Sequence, residues 1–434
     1  YRMKIKNMNL IRSGVCMMLL FAATAAVAQE KVSLSLQDAQ EYALEHNRTL
    51  ENASLDIKKA EAGRWQAIAS MLPQVSAGLD YTNMMGYKMD FGQMVISMPP
   101  SASFNITTAV ALSGAQIVST QVANISKRMA DISYRKSGQE ISDQVKVLYY
   151  SALVTEETLV LLKENLESMK KLHSISQRAV DVGVSEQTNA DQLKVQVATM
   201  ESSINATERS LEMVYNSLRL QLNLDVNSEI ELTQGLPELM NVDAVSDLFR
   251  EEFDVNNNYN YQLLKAGADL ARKQIALTGW SGGPTFSIFH QFNKKHYFSD
   301  EMTMNMTPPN MLGIAVKVPL FTSLRNTKSV QDARLSYRKQ LNTLADTEAA
   351  LKIRHRQLVF NLKSALEQYR TQKETVEVAK RVFDNIALKY EHGVASALDV
   401  TNSGTNLIAA QNGYVQSLLQ IVNAQISLEQ LLNR

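Results

Sequence analysis

Few residues of this chain are spaced for chemistry. The histidines His46, His173, His290, His296, His355 and His392 are scattered, and none has a partner at the i, i+4 spacing that sets two imidazoles on one helix face for a metal. No phosphate-cradling glycine loop, nucleophile elbow or dinucleotide fingerprint occurs, so the chain reads as a non-enzyme without a cofactor. Two methionine clusters stand out: Met84, Met85, Met89, Met94 and Met98, then Met302, Met304 and Met306. Thioethers suit Cu(I). Compositional bias in exposed or plug-like loops explains the clusters better, and no metal is assigned to them. The carboxylate of Asp399 stands three residues after Ser396, the spacing of a capping box at a helix start.

The segment around Asp399 occurs in two versions. "AVDVGVSEQTNADQL" surrounds Gly183 and "YEHGVASALDVTNSG" surrounds Gly393, 210 residues later. Pro73 and Pro284 are 211 apart, and the pairs Pro99-Pro100 and Pro308-Pro309 are 209 apart. "ISYRK" from residue 132 and "LSYRK" from residue 335 are 203 apart, a difference of about one heptad, which preserves the phase of a helical seam. The pattern reads as an internal tandem duplication, with a first repeat over 29–236, a second over 237–434 and the joint near 225–258.

No proline lies between Pro100 and Pro237 or after Pro319, so long helices can run there. They carry heptads. Val145, Leu148, Ala152, Thr155, Leu159, Leu162, Leu166 and Met169 alternate three- and four-residue steps, and Leu193 to Leu218 continue beyond Gly183. Val376 to Tyr390 and Leu407 to Leu431 repeat the seam in the second copy. A helix over 115–182 is roughly 100 Å long at 1.5 Å per residue. Gly183 and Gly393 then end one rod each and turn the chain back, with Ser185 and Ser396 expected as N-caps of the returning helices.

Ahead of each rod the period drops to two. "PQVSAGLDYTN", "FNITTAVALS", "TFSIFHQFN" and "LGIAVKVPL" alternate apolar with small or polar residues, Phe289 interrupting the third. Each run is about the 9–11 residues that a tilted strand needs to cross a bilayer. Four strands cannot close a barrel, and an open sheet in hydrocarbon leaves edge groups unpaired, so several chains must pool their strands. The expected fold class is therefore a mixed α/β membrane protein with four transmembrane strands per chain and long antiparallel coiled-coil helices.

The first 28 residues read as a signal peptide: Lys4, Lys6 and Arg12, an apolar run from Val15 to Phe21, and Ala26-Val27-Ala28 before Gln29, with Met3 as the expected start. Cys16 lies inside it, so the exported chain has no thiol chemistry. Setting aside the four basic residues of that region leaves 40 basic against 44 acidic, which is no footprint for nucleic acid.

Together, the leader, the duplicated strand-pair-plus-rod unit and the glycine tips resemble the TolC-like outer membrane efflux family. "LSLQDAQEYALEHN" and "YEHGVASALDV" carry the resemblance most specifically. It implies a homotrimer in the cell outer membrane, in contact with outer membrane lipid, whose chains share one 12-strand barrel and a periplasmic helical tunnel. It also implies an exit duct for a tripartite efflux or type I secretion system, with a periplasmic adaptor (membrane fusion protein) and an inner-membrane pump of RND or ABC type as partners. By the same resemblance Asp399 and the Asn402 position form the periplasmic gate. Asn402 departs from the family's acidic residue there, and Asn47 is followed by Arg48 instead of the usual proline. Gly183, Val184 and Ser185, with Gly393, Val394, Ala395 and Ser396, are the expected adaptor-docking tips. Two other readings stay open: a periplasmic adaptor, which needs additional soluble β-domains, and a structural coiled-coil protein of the cell envelope, which does not explain the strands.

Overall fold

The computed structural model describes residues 31–90, 92, 95–239, 248–299 and 307–433. The expected leader over 1–28 lies outside the described residues, as do Met94, Met302, Met304 and Met306.

The chain opens with β1 (Lys31–Leu34), α1 (Leu36–His46) and α2 (Arg48–Ala69). Then come β2 (Gln74–Thr82), a short hairpin of β3 (Lys88–Asp90) and β4 (Val95–Ser97), and β5 (Ser101–Ser113). The first rods are α3 (Gly114–Asp181) and α4 (Gln187–Leu222), followed by β6 (Glu229–Leu232) and the single turn α5 (Leu236–Leu239). The second half repeats the order with α6 (Tyr259–Trp280), β7 (Thr285–Tyr297), β8 (Asn310–Lys317), and rods α7 (Arg325–Glu391) and α8 (Ala397–Leu432). The rods match closely, with 68 and 36 residues in the first pair and 67 and 36 in the second. Helix starts are written locally. Ser35 with Asp38 and Ser113 with Gln116 form capping boxes that satisfy orphan amides of α1 and α3.

The four alternating runs form one antiparallel sheet in the order β2-β5-β7-β8. Register sorts its two faces. Leu79 faces Phe104, Leu112 faces Phe286, and Ile288 faces Ile314, while Gly78 faces Asn105, Asn105 faces Asn293, and Thr107 faces Gln291. One face is mainly apolar and exposed, with Leu79 at 78% and Ile314 at 76% of full exposure, and also carries His290, Lys294 and His296. On the other, Asn293 donates to Asn105 and Asn105 donates to Asp80 at 3.0 Å. Phe289, which broke the sequence alternation, lies on this polar face opposite Gly313; a Cβ on Gly313 would stand 2.5 Å from the Phe289 ring. The ring covers a glycine in the neighbouring strand and takes up the space of its missing side chain.

The heptad positions are the buried stripe of the rods, as expected from their spacing. Leu159, Leu162, Leu166 and Met169 of α3 pack with Leu193, Met200 and Ile204 of α4, and with Phe383, Val400 and Leu407 of the second hairpin. Asn165 of α3 donates to Gln411 of α8 at 2.5 Å within this apolar seam. A buried amide pair of this kind sets register, because a slip would strand both groups. Gly404 lets α8 approach closely, since a Cβ there would stand 2.2 Å from Met169 Cε.

Midway along the rods lies a feature the alternation did not announce. β1 and β6 form a two-stranded parallel sheet, Val32 beside Ile230 and Leu34 beside Leu232. It seals a second cluster containing Val145, Tyr149, Leu218, Leu222, Leu418 and Leu428, and the Tyr149 hydroxyl donates to the Leu34 carbonyl at 3.1 Å.

Within this region Asp143 is buried beside the Lys146–Glu429 ion pair, whose atoms are 2.5 Å apart. Asp143 Oδ2 has no hydrogen-bond partner among the described residues. Burial pushes its carboxyl up to about 6, with Glu429 and Glu140 adding to the rise and Lys146 opposing it. The native state therefore holds a proton more tightly than the unfolded chain, so stability falls as pH rises from the ordinary carboxylate value of 3.8 through about 6. Asp143→Asn is expected to raise the thermal midpoint at neutral pH and to leave it nearly unchanged near the ordinary carboxylate value. Melts across that pH range, followed by helical circular dichroism, check this.

Candidate functional site

The rods end in two glycine turns at one end of the molecule. Lys171 of α3 reaches Glu391 at the close of α7 at 2.6 Å, and Gln196 of α4 donates to Thr405 of α8 at 3.4 Å. These contacts hold the two hairpins side by side, with the tips opposite the four-stranded sheet.

Gly183 has φ +77° and Gly393 φ +73°, the left-handed conformation that L-residues adopt at a cost. Around each, the last turn closes by the same backbone bonds. The Val184 amide donates to the Ala179 carbonyl at 2.9 Å, and the Val394 amide to the Lys389 carbonyl at 2.8 Å. This is the Schellman arrangement, which satisfies helix carbonyls that would otherwise be orphans. Both valines project outward at about 77% and 76% exposure.

Past the glycines the tips differ. Ser396 is the N-cap of α8: its hydroxyl accepts from the Asp399 amide at 3.1 Å. Asp399 Oδ2 accepts from the Ser396 amide at 2.9 Å and from the Ser396 hydroxyl at 2.7 Å. The Ser396 amide and then its hydroxyl hold the Asp399 carboxyl below the usual carboxylate range. The side chain is exposed, and Oδ1 makes no hydrogen bond among the described residues. Asn402 is exposed one turn further along α8.

The first tip corrects an expectation. Ser185 is not the N-cap of α4; Glu186 occupies that position and makes no side-chain capping bond. Aligning the chain on its glycines sets Glu186 opposite Ser396 and Ser185 opposite Ala395, so the serine falls one residue too early. Asn189 donates to the Ser185 hydroxyl at 3.1 Å instead. Only the second tip therefore carries both a fixed cap and a fixed carboxylate.

Among the described residues no group of three or more His, Cys, Asp or Glu is placed to hold a metal ion, and no helix is long and apolar enough to cross a membrane. Sequence reasoning missed the Asn165–Gln411 bridge and Gly404, which brace the tips from behind. Their only sequence signal is polar or small residues beside an apolar heptad stripe.

Replacing Gly393 with valine is expected to strain the turn by about 1–2 kcal/mol, because a β-branched side chain must then take a positive φ. Hydrogen exchange at the Val394 amide should speed up by roughly tenfold. Val394→Ala should leave that amide protected.

Comparison with known proteins places the chain. It matches the family of outer membrane efflux proteins over residues 40–224 and 256–434. The outer membrane protein TolC of Salmonella enteritidis is 23% identical over 365 residues, covering 80% of this chain and 71% of that protein. The fold resembles VceC of Vibrio cholerae, with a TM-score of 0.76 at 15% identity over 92% of this chain and 95% of that one. It also resembles the CmeC outer membrane channel of Campylobacter jejuni, with a TM-score of 0.77 at 15% identity over 92% and 85% of the two chains. Two helical hairpins, a four-stranded sheet with one apolar face, and this match over both halves of the chain together make it a member of the outer membrane efflux protein family.

Proposed function

We propose that the protein is the outer membrane exit duct of a tripartite efflux or type I secretion system. On this reading it passes small molecules or polypeptide from the periplasm, or from an inner-membrane pump, to the exterior. The observation that carries the reading is the sheet: four strands, exposed on the mainly apolar face, end in edges at β2 and β8 that are unpaired among the described residues. Three chains joined edge to edge give twelve strands, enough for a barrel with an open lumen. The polar row of Asp80, Asn105 and Asn293 then faces that lumen and the apolar face meets lipid. The rods, tandem copies of one unit over 29–236 and 237–434, extend into the periplasm as a tunnel roughly 100 Å long. An adaptor (membrane fusion protein) docks on the exposed tips around Val184 and Val394, and the pump, of RND or ABC type, lies beyond it. Neither a periplasmic adaptor nor a surface coiled coil accounts for this sheet.

The reading predicts recovery from outer membranes as a detergent-resistant oligomer with the mass of three chains. A soluble monomer in the periplasmic fraction would overturn it.

Three copies of Asp399 would bring three carboxylates around one axis at the tunnel mouth. Ser396 occupies only one carboxylate oxygen and keeps the group ionised, so capping and gating are compatible. A trivalent cation added on the tip side should block conductance in planar bilayers, and Asp399→Ala should relieve the block. Ser396→Ala removes the capping hydroxyl at a cost of about 1 kcal/mol but keeps the charge, so the block should persist. Equal block in the wild type and Asp399→Ala would leave Asp399 a capping residue alone.

A further inference from the structure

We propose that the groove between α3 and α6, immediately below the sheet, binds an anionic glycerophospholipid of the periplasmic leaflet. The proposal rests on the reading above that the apolar sheet face meets lipid.

The groove has two sections. The upper one is a cavity of about 480 Å³ lined chiefly by apolar groups, among them Leu112, Ile117, Trp280 and Phe286. Leu112 and Phe286 are register partners on the apolar sheet face, so the cavity continues that face downward without a break. The Trp280 indole lies flat along the start of α3 because Gly114 has no side chain; a Cβ there would stand 2.2 Å from the ring. Ile117 and Trp280 remain about half exposed. Their surface suits an acyl chain.

The lower section, also about 480 Å³, is lined by Arg128, Asp269, Arg272 and Lys273. Arg128 pairs with Asp269 at 2.5 Å, which leaves Arg272 and Lys273 without an ion pair among the described residues. The Lys273 ammonium donates to Gln121 at 2.8 Å, and Gln121 lines the upper cavity, so the cation sits at the boundary between the sections. Trp280 and Lys273 are two helical turns apart on α6, about 10 Å. That is the separation of a phosphate from the first half of its acyl chains, with the phosphate on the periplasmic side.

Sheet order supports access. β5 and β7, which lead into α3 and out of α6, are the central strands, while neighbouring chains would join at β2 and β8. The groove therefore lies in the middle of each subunit's outer surface, away from the joints.

The chain has two tryptophans, so Trp65→Phe leaves Trp280 as the sole reporter. The full-length oligomer carrying that change would be reconstituted into phosphatidylcholine vesicles. These would contain either dibrominated phosphatidylglycerol or dibrominated phosphatidylcholine at matched bromine content. Half-maximal quenching of Trp280 is expected at a roughly tenfold lower fraction of the anionic lipid. Arg272→Glu with Lys273→Glu should abolish that preference and leave conductance intact. If that pair fails to assemble, Arg272→Gln with Lys273→Gln carries the same test. Equal quenching by both lipids, or a preference that survives the charge changes, overturns the lipid site while a conducting oligomer leaves the channel reading standing. A chain that does not insert as an oligomer overturns both.

Discussion

An unpaired amide or carbonyl in hydrocarbon costs several kcal/mol, and on the proposed reading of the sheet as membrane-spanning it would end at two such edges. β2 and β8 each have one strand neighbour among the described residues, and in that setting the edges of neighbouring copies would satisfy their outer rows of backbone groups. On that reading oligomerisation is a condition of inserting into a membrane at all. The apolar face, exposed in the single chain, suits the same environment. The polar groups on the opposite face, which hydrogen-bond to one another across β2, β5 and β7, would instead face the lumen.

The rods obey a different constraint. A helix of 68 residues cannot be buried by one partner along its length, so burial is divided between two clusters. The cluster near the tips relies on heptad packing and is pinned by the Asn165–Gln411 bridge. The cluster at mid-length adds α1 and the β1–β6 pair as a lid over Val145 and Tyr149. Between a rigid middle and a braced tip, the glycine turns need only hold their own backbone geometry. Exposed valines can then stand at the end of the molecule without a core beneath them.

The two tips share a shape while their polar residues differ. Both turns share the Schellman bonds and a positive-φ glycine, because backbone geometry sets that requirement. Their polar residues differ: Ser396 and Asp399 form a reciprocal cap, whereas Glu186 and Asn189 do not. Among the described residues only the second hairpin thus presents a carboxylate fixed in a reciprocal N-cap, and any threefold assembly would inherit that alternation around its axis.

What the sequence determined by itself were the features carried by neighbours in the chain. Heptad steps marked the buried stripes, alternation marked the four long strands, missing prolines marked the rods, and glycines marked their ends. Each is a local periodicity or a single-residue conformational limit, and its physics is complete within a few turns. Tertiary structure alone decided what joins residues far apart. β1 and β6 are four-residue strands separated by nearly 200 positions, too short to announce themselves before they pair. The buried charge at Asp143, the close approach at Gly404 and the place of Phe289 over Gly313 arise only where separate elements meet. Even the N-cap of α4 depended on where the turn placed its residues, and one step of register moved it from Ser185 to Glu186. Local pattern selects the element; which residues face each other across elements follows from packing, which no single segment contains.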